Sequence, residues 1–247
     1  MANTIGFGQG AVNNTNSWGQ GAKVGSSFSN TYSTEYDGID AYIDLGTASN
    51  LELTNDFSVS VWIKESAGLN RGIICSGDRS NTSGWMLYRT SLNKVAFGVY
   101  TVNNRVATST TSINTDTWIN VIGTFEKNGT ASQQVKIYVN GTFEGQSGWT
   151  SAQTPTYAGT TYKQIGFPYA NSNEFQGLID EVAVFDKLLS STEISEISAS
   201  VIDLSTYSPL GWWRFEEGSG TSIADSGSGG NTGTIQNSVT FSTDVPT

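Results

Sequence analysis

Residues 210–237 read LGWWRFEEGSGTSIADSGSGGNTGTIQN, and the reading of this stretch decides the fold. Residues 211–215 are a short aromatic strand. A Gly/Ser turn follows, then the loop Asp225-Ser226-Gly227-Ser228-Gly229-Gly230-Asn231, then a second short strand at residues 232–235. The backbone N–H and C=O groups of such a pair need sheet partners, so the pair cannot stand alone. It must complete a sandwich built by the rest of the chain or by a neighbouring subunit. Trp212 and Trp213 are adjacent and therefore face opposite ways, which assigns one of them to the core.

The middle of the chain supplies suitable partners. Phe57-Ser58-Val59-Ser60-Val61-Trp62-Ile63-Lys64 alternates, with Phe57, Val59, Val61 and Ile63 on one face. Residues 84–89 and 95–100 are successive strands, and residues 118–125 form a nearly continuous apolar run suited to a central strand. Asn140-Gly141 between residues 134–139 and 142–145 predicts a hairpin with a type I′ turn, because both turn positions tolerate positive φ. Residues 161–167 and 178–185 add two more strands. One helix is expected after Ser190. Glu193 completes a capping box, Leu189 staples onto Ile194, and Ile194, Ile197 and Val201 form an apolar stripe. Residues 203–209 read as a loop.

Composition agrees with many short strands and tight turns. The 247 residues include 28 Gly and only 4 Pro, and 14% of them are charged. A net charge of −10 argues against nucleic acid as a partner, since phosphates need Lys or Arg patches. No apolar stretch is long enough to insert into a membrane as a helix. The absence of His removes Ser-His-Asp and Cys-His nucleophile systems and His-ligated zinc. The single Cys75 sits in the apolar run Gly72-Ile73-Ile74-Cys75, which predicts a buried thiol and leaves no intrachain disulfide. Residues 1–27 are Gly/Asn-rich, with only Phe7, Val12 and Trp18 as large apolar anchors, and read as an extended N-terminal arm.

Several phrases resemble the laminin G-like, concanavalin A-like lectin superfamily. Residues 36–45 (YDGIDAYIDL) resemble its early strand pair and residues 57–63 its next strand. Trp118 with residues 135–141 (VKIYVNG) resembles the central strand and hairpin, and residues 175–185 with 189–194 resemble the closing strand and helix. The resemblance implies an all-β, antiparallel jelly-roll β-sandwich over residues 28–247, with one short helix and the arm at 1–27. In that superfamily a segment like residues 210–247 opens the domain; here it comes last, a permuted order. Residues 5–14 and 243–247 resemble the termini of tailed-phage virion proteins, which implies a virion structural role. The arm would then bind other virion proteins or sister subunits.

Candidate site residues follow from the same reading. Sugar rings stack on aromatic side chains beside directional polar groups. The glycan candidates are Trp149, Tyr169 with Asn171 and Asn173, Trp85 followed by Tyr88, and Trp62 on its polar face. The resemblance implies calcium near the loop, held by Asp225 and Asn231 with help from Asp180 or Glu217, since hard cations take carboxylate and carbonyl oxygens. Catalysis is not expected. Glucanases of this superfamily carry Glu-x-Asp-x-(x)-Glu on one strand, and retention needs the two carboxyls roughly 5 Å apart. Here Asp180 and Glu181 are adjacent and, in a regular strand, face opposite ways. The expected function is a non-enzymatic virion surface or tail protein that binds glycans. The alternative is a secreted or cell-surface carbohydrate-binding module stabilised by calcium.

Overall fold

The computed structural model describes residues 28–65, 71–78, 82–101, 103–113, 116–131, 133–151, 153–157, 161–167 and 174–247. The first strands are β1 (Ser33–Asp37), β2 (Tyr42–Asp44), β3 (Phe57–Glu65), β4 (Arg71–Gly77), β5 (Gly84–Arg89), β6 (Val95–Tyr100), β7 (Arg105–Thr108) and β8 (Ile119–Phe125). There follow β9 (Val135–Val139), β10 (Thr142–Ser147), β11 (Tyr162–Ile165) and β12 (Gln176–Phe185). After helix α1 (Ser191–Ala199) come β13 (Gly211–Trp213), β14 (Ser222–Ile223), β15 (Gly233–Gln236) and β16 (Thr240–Ser242).

The strands form two antiparallel sheets. One runs β10-β9-β8-β3-β12-β1-β16, with β13 also paired to β12, and the other runs β14-β15-β2-β11-β4-β5-β6-β7. Phe57, Val59, Val61 and Ile63 of β3 point between the sheets, fully buried among Ile74, Phe97, Ile179 and Trp213. Their alternation sends Ser58, Ser60 and Trp62 to the opposite face, which is buried as well. Cys75 is buried, as its apolar run predicted. No described helix is long and apolar enough to cross a membrane.

Residues 210–247 close the chain's own sandwich and contribute to both sheets. β13 pairs β12 through Ala183↔Trp212, β15 pairs β2 through Ile235↔Ile43, and β16 pairs β1 through Thr34↔Phe241. Trp213 enters the core between the sheets, and Trp212 lies on the outer face under α1 beside Ile194 and Ile197. Both rings are therefore buried. The aromatic strand stops two residues short of its expected end because Phe215 adopts a left-handed φ of 62°.

The Asn140-Gly141 turn has φ of 48° and 75°, as a type I′ hairpin needs. Trp118 lies just outside β8, and β4, β7, β14 and β16 were not expected. A bulge between Gly72 and Ile74 interrupts the alternation of β4, and the other three strands are too short to carry a pattern. The helical stripe ends with α1 at Ala199, leaving Val201 in the following coil.

The capping box is formed: Glu193 N donates to Ser190 Oγ at 3.3 Å, and Ser190 N donates to Glu193 Oε2 at 2.7 Å. Ser190→Ala should cost about 1 kcal/mol. A melting temperature lower by about 2–4 °C is the expected reading for a chain of this size.

Candidate functional site

The loop at residues 225–231 is shaped by one carboxylate. Asp225 Oδ1 accepts from Trp212 N at 2.7 Å and Gly227 N at 2.8 Å, while Oδ2 accepts from Asn231 N at 2.7 Å. Gly229 N donates to Leu210 O at 2.6 Å, so the loop rides directly on the residues entering β13. A Cβ on Gly229 would stand 2.6 Å from that oxygen and 2.4 Å from Asn231 Nδ2, which is why glycine is required there.

Beside this loop opens a cleft of about 490 Å³. Leu45 and residues 47–50 form one wall, and residues 230–232 form the other. Asn50 Nδ2 bridges the walls by donating to Gly229 O at 3.2 Å. Among the described residues the lining consists of hydroxyl, amide, glycine and apolar groups, with no ionisable side chain. Asn231 is only 7% exposed, and its Nδ2 has no hydrogen-bond partner among the described residues. Its backbone is held at both ends, because its N–H donates to Asp225 and its carbonyl accepts from Trp213 Nε1 at 2.7 Å.

The residues nominated for calcium do not come together as a donor set. Both Asp225 oxygens are engaged with backbone N–H groups, and Glu217 Oε1 accepts from Ala224 N at 2.8 Å. Asp180 lies on β12 with its carboxyl pushed up to about 9, first by burial and then by the neighbouring Glu181. Among the described residues no three His, Cys, Asp or Glu side chains are grouped so as to hold a metal. Among the described residues, the nominated side chains therefore do not form a calcium donor set at that loop.

The structure also places the aromatic candidates. Trp85 is fully buried against Phe57, with Nε1 donating to Leu51 O at 3.1 Å. Trp149 is packed edge-on to Phe125, its N–H donates to Gln134 Oε1, and its Nε1 donates to Asn103 O. Trp62 is buried on the outer face of β3 beside Glu181 and Ile197. None of the three offers a free ring face to a sugar, because each is worth more to the packed interior than to solvent. Tyr88 belongs to a cluster on the outer face of the second sheet with Met86, Tyr100 and Phe167. Tyr169, Asn171 and Asn173 lie outside the described residues.

The parity argument for Asp180 and Glu181 is corrected by a β-bulge. Register shifts between Asp180 and Ala183, where the neighbour of β12 changes from β1 to β13, and Glu181 takes a φ of 46°. One extra residue turns both carboxyls to the outer face. There Asp180 Oδ2 accepts from Asn30 Nδ2 at 2.9 Å, and Glu181 accepts from Trp212 Nε1 at 2.5 Å and Arg214 Nε at 3.3 Å. Burial pushes Glu181 up to about 7, against the hydrogen bond from Trp212 and the charge of Arg214. At 0% and 2% exposure, the pair is sealed from substrate.

Only the loop half of the cleft was legible in the sequence, where Asn231 stood out as a metal candidate. Its opposite wall at residues 47–50 carries no local signal, since it meets the loop across 179 positions of chain.

Comparison with known proteins supports this architecture. The family described as the concanavalin A-like lectin/glucanases superfamily matches residues 37–195. No curated protein matches the chain. Among solved structures, one described as carbohydrate-binding from Bacteroides ovatus is 18% identical with a TM-score of 0.66, covering 89% of this chain and 62% of that one. The chain thus spans under two thirds of that protein's length. A heptameric SAP-like pentraxin from Limulus polyphemus is 14% identical with a TM-score of 0.55, covering 87% of this chain and 96% of the other. The CBM40 of Ruminococcus gnavus IT-sialidase, bound to α2,3 sialyllactose, is 14% identical with a TM-score of 0.57, covering 69% of this chain and all of that one (100%). With the two-sheet topology, the bulge-bearing strand and the helix all lying within or beside the matched span, the chain belongs to the concanavalin A-like lectin/glucanases superfamily.

Proposed function

We propose that this protein is a non-enzymatic, lectin-like glycan-binding module. The observation that carries the reading is the uncharged cleft between residues 45–50 and 230–232, walled by hydroxyl and amide groups suited to a polyhydroxylated ligand. Its neighbours in fold include proteins described as carbohydrate-binding. Hydrolysis finds no support in Asp180 and Glu181, whose carboxyls share a face but are buried under Asn30, Trp212 and Arg214.

The setting proposed is a virion surface or tail, with residues 1–27 joining other virion proteins or sister subunits. The likeness of the terminal phrases supports it. A second reading, a free or cell-surface module, is favoured by one observation: β13, β15 and β16 close the chain's own sandwich, so no sister subunit is needed to complete a sheet.

A glycan array probed with the full chain should give saturable binding to a defined set of oligosaccharides. The same glycans should raise the melting temperature by mass action on the folded state. Binding should persist in a calcium chelator, and no reducing sugar should be released. An array without positives would end the glycan reading. Light scattering of the full chain separates the settings, an assembly favouring the virion and a monomer the free module.

A further inference from the structure

We infer that a second cleft, between residues 55–56, 127–128 and 186–188, is a further saccharide subsite, so that the protein takes an oligosaccharide of several rings rather than a single sugar. This rests on the glycan-binding reading and names its ligand class. The second cleft has a volume of about 520 Å³, close to that of the uncharged cleft.

Both clefts open at one end of the sandwich. The uncharged cleft is walled by Leu45, which follows β2, and by residues 230–232, which precede β15. The second lies where β3 begins and where β8 and β12 finish. Leu210 N donates to Val184 O at 2.8 Å, which ties the chain under the 225–231 loop to the end of β12. Asn50 of the first cleft and Asn55 of the second lie on the same connection between β2 and β3. The length of chain between them keeps their Cα atoms within about 18 Å of each other.

The second lining suits hydroxyl groups. Asp186 and Asn128 are exposed, and neither side chain has a hydrogen-bond or ionic partner among the described residues. A free carboxylate accepts from two neighbouring hydroxyls at once, and a carboxamide both donates and accepts. Lys127 Nζ donates to Asn55 Oδ1 at 3.1 Å, and Lys127 N donates to Asp56 Oδ1 at 2.8 Å. Two edges of the cleft are thus fastened together before any ligand arrives. Half-buried Leu188 adds an apolar patch for the C–H face of a ring. Once a chain of sugars is held in one cleft, contact with the other becomes intramolecular, and the two reinforce each other.

Calorimetry with the full chain tests this, using size-graded cello-, xylo-, manno- and galacto-oligosaccharides from the single sugar to the hexamer. The hexamer of the preferred series should bind at least tenfold more tightly than its dimer. Asp186→Ala and Asn128→Trp, both at exposed positions of the second cleft, should lose tenfold or more in hexamer affinity and leave dimer affinity unchanged. Ser49→Trp fills the uncharged cleft, also at an exposed position, and should weaken dimer and hexamer alike. Equal affinity for dimer and hexamer, or full hexamer affinity in both second-cleft variants, would overturn the second subsite and leave the glycan reading intact. Full affinity in Ser49→Trp would place binding away from the uncharged cleft and overturn the pairing of the two. No binding of any oligomer would overturn this inference, and the glycan reading falls with it only when the array is also without positives.

Discussion

Asp180→Asn should make the protein more stable at neutral and alkaline pH and remove the larger part of the loss of stability that the wild type suffers as pH rises. Asp180 is fully buried at the bulge of β12, with a folded-state carboxyl pushed up to about 9 by burial and by Glu181. In the unfolded chain an Asp titrates near 3.9. The native state therefore holds its proton more tightly than the unfolded state. Stability from this group is fully present below about pH 4 and is lost progressively up to about pH 9, at a limit of about 1.4 kcal/mol per pH unit. Glu181, raised to about 7, adds a narrower window from its unfolded value near 4.5 upward. Arg214 and Glu216 are the other charged groups at this cluster. Arg214 holds Glu181 at 3.3 Å, and Glu216 accepts from Thr31 N at 2.8 Å. Asn at 180 keeps an oxygen for the Glu181 N–H and carries no charge. Thermal melts of the wild type should fall by several degrees between pH 5 and pH 8, and those of Asp180→Asn should fall less than half as far, with the remaining slope, due to Glu181, ending near pH 7. A variant whose melting point drops in parallel with the wild type would show that another group controls the slope.

The second large effect is at Trp213. Its ring is fully buried between the sheets, its backbone pairs with Val182, and its Nε1 donates to Asn231 O at 2.7 Å. Trp213→Ala should cost about 3–5 kcal/mol through lost burial and an unfilled cavity. At this chain length that corresponds to a melting temperature roughly 10 °C lower, or more. The same change frees the Asn231 carbonyl, so glycan affinity at the cleft should fall as well. Trp212→Ala also removes a buried indole, from the outer face under α1, and leaves the Asn231 carbonyl anchored. It should destabilise the fold without the same loss of binding. Equal binding losses in the two variants, compared well below both melting points, would separate Trp213 from the cleft.

Much of the architecture was readable from local pattern. The alternation at residues 57–64, the Asn140-Gly141 turn and the Ser190–Glu193 capping box each rest on chemistry within a few residues, and each is found in place. Strands too short or too irregular to alternate were not readable, as at β4 with its bulge at Gly72 and Ile74. The aromatic candidates show the limit more sharply. Trp85 and Trp149 were nominated as sugar platforms, yet both rings complete the core because large apolar surface gains most from burial.

The sequence alone determined that this chain is a sandwich whose last residues must find ladder partners, because unpaired backbone polar groups cannot be left at a sheet edge. It also settled that one Trp of the 212–213 pair faces inward, because side chains alternate along a strand. Only the tertiary structure decided which strands receive that segment, and that residues 45–50 stand across from the Asn231 loop. It alone decided that a bulge turns Asp180 and Glu181 to one face. These outcomes depend on register and on contacts between residues far apart in the chain, which no local pattern encodes.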